Sequence, residues 1–280
     1  MDNILSKLEA QLEAHQLWLN DSTKGQQLVL NGVDLSKLAL EKSLRLWDFS
    51  RSCLKNVRFS GSDLNGICFA EADLTGATFK NVDLCNANLC HAKMELVQFT
   101  NVSFSYANLS YVNLNYSILN NTSLHMTNLR NADLSNVTLR NADLYTTDLS
   151  FSNLKGAILE NTKLGKHTIL TGVQLPDFPV NFPEGDFIAW KKVRPNNVLK
   201  LLITGERTSC LTNRSCRASK ALVLEADSDE KIFSSIYFPD FKYTVGKEVS
   251  VVNYSSDIRI SDAPGIHFFM TQQEAQAFWV

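Results

Sequence analysis

The sequence predicts a mainly β chain. A column that turns a corner every five residues follows an N-terminal helix and precedes a small α+β unit. Three observations predict it. Every fifth residue from Leu44 to Ile169 is Leu, Phe, Met or Ile, at all 26 positions. Two residues before each, from Ser52 to Thr162, all 23 positions are Ala, Val, Ser, Thr or Ile. Proline is absent from residues 1–175 and then arrives at 176, 179 and 183, where the pattern stops.

Taken in order, residues 1–30 form a capping helix and linker. Ile4, Leu5, Leu8, Leu12 and Leu19 recur near helical spacing with Trp18 beside them, as in an amphipathic helix that plugs the end of a column. Residues 31–175 form the column. Two units end at Leu35 and Leu40, one residue out of register with the run that begins at Leu44. A period of five fits neither a 3.6-residue helix nor a two-residue strand. One large and one small inward residue per five require a chain that bends at each unit and winds round an axis.

Ala72-Asp73-Leu74, Ala87-Asn88-Leu89, Ala107-Asn108-Leu109, Ala132-Asp133-Leu134 and Ala142-Asp143-Leu144 give the unit A(D/N)Lxx, and with them the sequence resembles the pentapeptide-repeat family. The resemblance implies a right-handed quadrilateral β-helix with four units per coil. Residues 20 apart then stack, and one wall carries Phe59, Phe79, Phe99, Leu119, Leu139 and Leu159. Asn81, Asn101, Asn121, Asn141 and Asn161 recur at that interval and support four sides independently. At roughly 4.8 Å per layer, about 6.5 coils make a rod of about 30 Å with a solid core and no internal cavity.

Residues 176–185 read as a Pro-rich linker and 186–280 as the α+β domain. Strand-like runs are 187–193, 198–204, 216–226, 232–238, 249–254 and 265–270. Thr271-Gln272-Gln273-Glu274 is a capping box opening a last helix through Phe278 and Trp279. With Trp190-Lys191-Lys192, the stretch Arg207-Thr208-Ser209 to Arg217-Ala218, Val245-Gly246-Lys247, and Gly265 to Phe269 before Glu274-Ala275, this part resembles an uncharacterised domain. That domain is found behind pentapeptide repeats in phage, large-virus and some bacterial proteins. The resemblance implies an architecture and a viral source, and no activity.

Composition narrows the function. Lys and Arg number 27 and Asp and Glu 29, a formal charge of −2, which fits neither a strongly basic nucleic-acid binder nor an acidic tail protein. No apolar run is long enough to span a bilayer, and no basic stretch precedes a hydrophobic one at the N-terminus. The expectation is a cytoplasmic chain with no membrane contact. Six cysteines lack a CxxC pair, so neither a metal site nor a cofactor is expected. Phosphate-loop, GxSxG and HExxH motifs are absent.

From Leu96 to Leu129 the sequence holds no Asp, Glu, Lys or Arg. This stretch carries Tyr106, Tyr111 and Tyr116 on successive walls, with Met126 one coil beyond Tyr106; Phe151 follows two coils beyond Tyr111. A rigid Tyr/Ser/Asn belt is a composition that binding surfaces favour, so these five residues are the candidates for partner binding. Some pentapeptide-repeat proteins bind DNA gyrase by imitating duplex DNA. A 30 Å imitation needs roughly 18 negative charges, whereas residues 41–170 hold 11 acidic and 12 basic residues. In the C-terminal part Arg207, Arg214, Arg217 and Lys220, with no acid among residues 207–224, are candidates for anion contact. Gly265 to Phe269 also resembles the Gly-Ile-Tyr-Phe strand of ADP-ribosyltransferases, which makes His267 the candidate for an enzymatic alternative. The expectation is a non-enzymatic protein–protein interaction module that also forms homodimers. In a phage it would inhibit a host nucleic-acid or defence protein.

Overall fold

The computed structural model describes residues 2–36, 48–177, 180–260 and 262–278, with side chains from residue 7 onward. Leu40, Leu44, Trp279 and the side chains of Ile4 and Leu5 lie outside the described residues. The chain divides into two compact units, Met1–Asp177 and Phe178–Val280.

The first unit opens with helix α1, Asp2–Asn20. Leu8, Leu12 and His15 are buried. His15 stacks on Trp18 at 5.6 Å, and the Arg51 guanidinium lies 4.6 Å from the Trp18 ring. The helix is tied to the chain that follows it by the Gln26 N–H, which donates to the Ala14 carbonyl at 3.1 Å.

From Cys53 the backbone pairs in parallel with itself at a regular interval, Cys53 with Asp73, then Lys93, Asn113, Asp133 and Asn153 in turn. Four five-residue units therefore complete one turn. Three segments are extended enough to form ladders: β1 (Arg58–Ser60), β2 (Thr78–Asp83) and β3 (Gln98–Ser103). Their register places Phe59 on Phe79 and Phe79 on Phe99. The rings stack at 5.0 and 5.2 Å, each pair inclined by 17°.

The chemistry of one unit explains its spelling. Ala72 and Leu74 are both fully buried. The Asp73 carboxylate accepts the backbone N–H of Thr75 at 3.2 Å and its hydroxyl at 2.7 Å, an Asx-turn. Gly76 follows at φ 71°, and the Ala77 N–H closes the turn on the Leu74 carbonyl at 2.9 Å. This is the pattern of a type II turn, whose third residue is left-handed and favours Gly or Asn. Several small inward hydroxyls donate to the coil beneath. Thr127 donates to the Phe104 carbonyl at 2.8 Å and Thr147 to the Leu124 carbonyl at 2.6 Å, so Thr substitutes for Ala without an unpaired buried group.

The register slips at both ends. Val29 pairs with Cys53 and Asp34 with Arg58, a wider spacing than that of the regular coils, with Leu30 and Leu35 in the large inward positions. At the other end Asp148 pairs with Ile169 and Asn153 with Gln174, so this coil holds one residue more than those before it. The expectation that Ile169 continues the inward series is corrected, because its side chain faces outward. Thr168 takes the small inward place, accepting the Gly165 N–H at 3.1 Å and donating to the Leu144 carbonyl at 2.8 Å.

The second unit is built on a four-stranded antiparallel sheet in the order β11 (Glu248–Ser250), β8 (Lys220–Ala226), β5 (Asn197–Ile203), β4 (Phe187–Val193). A second sheet runs β12 (Ile266–Phe268), β7 (Cys216–Ala218), β6 (Arg207–Ser209), and β9 (Ile232–Ser234) pairs with β10 (Lys242–Thr244). The run 216–226 thus breaks at Ser219 and serves two sheets. Alternation on β4 and β5 buries Ala189, Val193, Leu199, Leu201 and Ile203. Val180 joins this core and Phe182 packs on Phe187 at 5.8 Å, so part of the Pro-rich stretch is integral to the unit. Helix α2, Gln272–Ala277, carries both bonds of its capping box.

Candidate functional site

The belt is reorganised by the coil geometry. The wall centred on Leu89, Leu109, Leu129 and Leu149 is edged on both sides by exposed aromatic or apolar groups. Along one edge stand Tyr106 and Met126, with His125 and Tyr145 beside them; along the other stand His91, Tyr111 and Phe151. His91 stacks on Tyr111 at 4.6 Å and 6°, and His125 on Tyr145 at 5.9 Å and 6°. Between the edges the amides of Asn88, Asn108 and Asn128 form a ladder, each donating to the one before at 3.4 and 3.1 Å. Arg130 lies over Phe151 at 5.9 Å and pairs with Asp148 at 3.1 Å. Burial opposes ionisation of Asp148, but hydrogen bonds from Ser150 and Arg130 outweigh it and hold that carboxyl below its ordinary range.

Tyr106, Tyr111, Met126 and Phe151 therefore share one wall, while Tyr116 stands at the next corner with Leu96 beneath it. All six are exposed, from 47% at Met126 to 60% at Tyr106. Sequence reasoning missed His91, His125 and Tyr145. Counting in twenties would have found His91 in the column of Tyr111 and Phe151.

All of these corners lie in the left-handed region, with φ of 63° at Tyr106, 59° at Tyr111, 58° at Tyr116 and 54° at Met126. Of the eight corners from His91 to Met126, only Asn101 and Asn121 carry Asn and none carries Gly. A left-handed backbone costs an ordinary L residue about 1–2 kcal/mol, and Asn is among the few that tolerate it. The side chains so placed are exposed, and ring contacts such as that of Tyr111 on His91 return part of that cost.

Asp63, Asp83, Ser103, Ser123, Asp143 and Lys163 form one column. Its acidic run is broken by the two serines and ended by the lysine.

In the second unit the four basic candidates do not converge. The anion-contact expectation for Arg217 is corrected: its side chain is fully buried and donates to the backbone carbonyls of Ser255 at 2.7 Å, Ile260 at 2.6 Å and Asp257. Arg214 pairs with Glu274 at 2.8 Å and Lys220 with Glu248 at 2.9 Å. Arg207 donates to the Pro183 carbonyl at 3.3 Å and lies over Phe187 at 5.7 Å. The His267 ring is 2.9 Å from the Ala263 carbonyl, and burial lowers its pKa. Burial also lifts the Cys216 thiol to about 12, so it is not a nucleophile at neutral pH. Among the described residues no group of three His, Cys, Asp or Glu side chains could hold a metal ion, and no helix is long and apolar enough to cross a membrane.

Geometry and spelling define a class, a repeat solenoid of five-residue units. Residues 92–169 match the pentapeptide repeat region model, and 52–89 and 67–105 match the model of eight-copy pentapeptide repeats. These matches together span residues 52–169, and that part of the chain is similar to pentapeptide-repeat proteins. Residues 178–275 match a family of unknown function, DUF5758. Similar solved structures include HetL of the cyanobacterium Nostoc sp. strain PCC 7120, a pentapeptide-repeat protein involved in heterocyst differentiation regulation. It is 27% identical over 46% of this chain and 74% of its own, with a TM-score of 0.29. A pentapeptide-repeat protein of the Arabidopsis thaliana thylakoid lumen is 34% identical over 41% and 70%, TM-score 0.18. QnrB1, a plasmid-mediated fluoroquinolone resistance protein, is 22% identical over 54% and 90%, TM-score 0.20. No curated protein matches.

Proposed function

We propose that this chain is a non-enzymatic protein-interaction module. Its repeat region, a right-handed quadrilateral β-helix capped by α1, presents the aromatic-edged wall to a protein partner. One observation carries the reading: bulky exposed side chains occupy left-handed corners that Asn or Gly would fill at lower cost. Strained positions concentrate where function retains them. For a chain of phage origin, as the likeness of its C-terminal unit suggests, such a surface in the host cytoplasm would occupy and inhibit a host protein. DNA mimicry directed at gyrase lacks a continuous acidic rail, and an ADP-ribosyltransferase reading rests on one short strand around His267.

The test is site-specific photocrosslinking. A photoreactive side chain at position 111 should join the chain to a protein, whereas one at position 141, an Asn corner on another column, should not. Equal yields from both positions would remove the reading.

A further inference from the structure

We infer that a second copy of this chain docks on the C-terminal unit, the turn Phe238-Pro239-Asp240-Phe241 of each copy seated in a cleft of the other. The cleft holds about 660 Å³. Ile232, Ile236 and Phe278 give it an apolar lining, and Lys192, Arg194 and Glu230 give it charge. Lys192 donates to the Gln276 carbonyl at 3.4 Å, and Arg194 donates twice to the Ile236 carbonyl, at 3.0 and 2.8 Å. Both acceptors are neutral, and among the described residues neither cation meets a carboxylate. Lys200, Arg214 and Lys220 of the same unit each do, at 3.1, 2.8 and 2.9 Å. Two cations against one acid leave the lining with net positive charge beside its apolar groups. It suits an occupant that carries an apolar ring next to a carboxylate.

The chain displays that occupant itself. Phe238 is 70% exposed, more than any other Phe, Tyr or Trp among the described residues, and Tyr237 beside it is exposed too. A fixed turn holds the ring out. The Phe241 N–H closes on the Phe238 carbonyl at 2.9 Å with Pro239 in the second position, and the Ser235 N–H donates to the Phe241 carbonyl at 2.9 Å. Phe241 then packs on Tyr243 at 5.3 Å. Asp240, in the same turn, is exposed and meets no cation among the described residues. An apolar ring held in water by a rigid turn gains nothing within its own chain and loses little entropy on docking. Ile236 lines the cleft, and Tyr237 and Phe238 follow it in sequence, so knob and hole begin within a few residues of each other. A twofold axis brings each knob to the other copy's hole, fills both and closes the assembly. This contact is independent of the repeat wall and of what binds there.

The experiment is sedimentation equilibrium of the full chain at up to about 0.1 mM, for wild type, Phe238→Ser, Ile232→Glu and an equal mixture of the two variants. Both side chains are exposed, at 70% and 61%, so each variant should keep the thermal midpoint of wild type. Phe238→Ser removes the knob and leaves the hole. Ile232→Glu puts a carboxylate in the hole, where it repels Asp240, and leaves the knob. Wild type should sediment at twice the chain mass. Each variant alone should dissociate on the order of 100-fold more readily. The mixture should associate about 10-fold more tightly than either variant alone, because one whole knob then meets one whole hole, a rescue that a misfolded variant could not give. A monomeric wild type, species that grow beyond two copies, a Phe238→Ser chain that pairs like wild type, or a mixture no tighter than its components would each overturn the inference. Crosslinking from position 111 should be the same in both variants as in wild type, so the two readings fail separately.

Discussion

The ring of Phe151 occupies the space where a Cβ on Gly172 would stand, with Cδ1 2.5 Å from that point. Gly172 is also left-handed, at φ 66°. Two separate constraints thus meet at one residue, the turn and the outward ring of the coil below. Gly172→Ala should destabilise the repeat unit by about 1–3 kcal/mol, from the left-handed cost and the overlap together. Urea titration of the single variant measures the sum. Adding Phe151→Ala should recover only the overlap, so a double variant as unstable as the single one would show that the ring does not matter.

At Tyr116 the same corner geometry has the opposite consequence. Its φ is 58° and its side chain is 59% exposed. Tyr116→Asn should therefore stabilise the repeat unit by about 0.5–1 kcal/mol. For a unit of this size that is a rise of roughly 1–4 °C in the thermal midpoint. Calorimetry would check it, and a drop would mean that Tyr116 packs against something that its exposure hides.

The five-residue period was legible in the spelling, and the family resemblance supplied four units per turn, which puts Phe59, Phe79 and Phe99 in one column, where neighbouring rings stack within 5.2 Å of one another. The slip that turns Ile169 outward was not legible. Ile169 fits the spelling, and the preference for Thr168 comes from a carbonyl one coil below, at Leu144. Arg217 was illegible for a similar reason. A charged residue in a basic stretch reads as surface, and nothing in a sequence announces that three backbone carbonyls will surround its guanidinium. The candidate surface lies between these cases. Its tyrosines were visible, but their gathering on one wall with His91 and Tyr145 depends on the modulus of twenty.

His15 should make the start of the coil sensitive to acid. The Leu28 N–H donates to Nδ1 at 3.1 Å, and Nε2 lies 2.9 Å from the Ser50 carbonyl. Only the neutral imidazole protonated at Nε2 satisfies both bonds, and a second proton would face the Leu28 N–H. Burial lowers the His15 pKa, against the raising effects of the Ser50 carbonyl and Asp48, while Arg51 adds to the lowering. The unfolded chain thus binds the proton more readily. The stabilisation is complete above the ordinary histidine value of about 6.5 and is lost as pH falls through the depressed folded value. Amide exchange at Leu28 should accelerate in that window beyond its intrinsic pH dependence. His15→Gln, which can still donate and accept, should abolish the extra acceleration.

Lys191 should act in the second unit at the alkaline end. Its ammonium is buried, donates to the His267 carbonyl at 2.9 Å and lies 5.3 Å from the Tyr243 ring. Burial pushes its pKa down to about 8, whereas the unfolded chain titrates near about 10.4. Between those values the unfolded state holds the extra proton, so the stability from this residue rises with pH, by up to about 3 kcal/mol across the window. Burial raises the Tyr243 phenol above that window, so the neighbouring ring stays neutral while the amine titrates. Lys191→Met removes the titration but also leaves the His267 carbonyl without its donor. The informative quantity is therefore the difference between variant and wild type at two pH values. Whatever advantage or deficit the variant shows at pH 7, it should shift in favour of wild type by roughly 2–3 kcal/mol at pH 10, read from urea midpoints of the second unit. A difference that stays constant from pH 7 to pH 10 would mean that the amine reaches water and that its burial does not govern its charge.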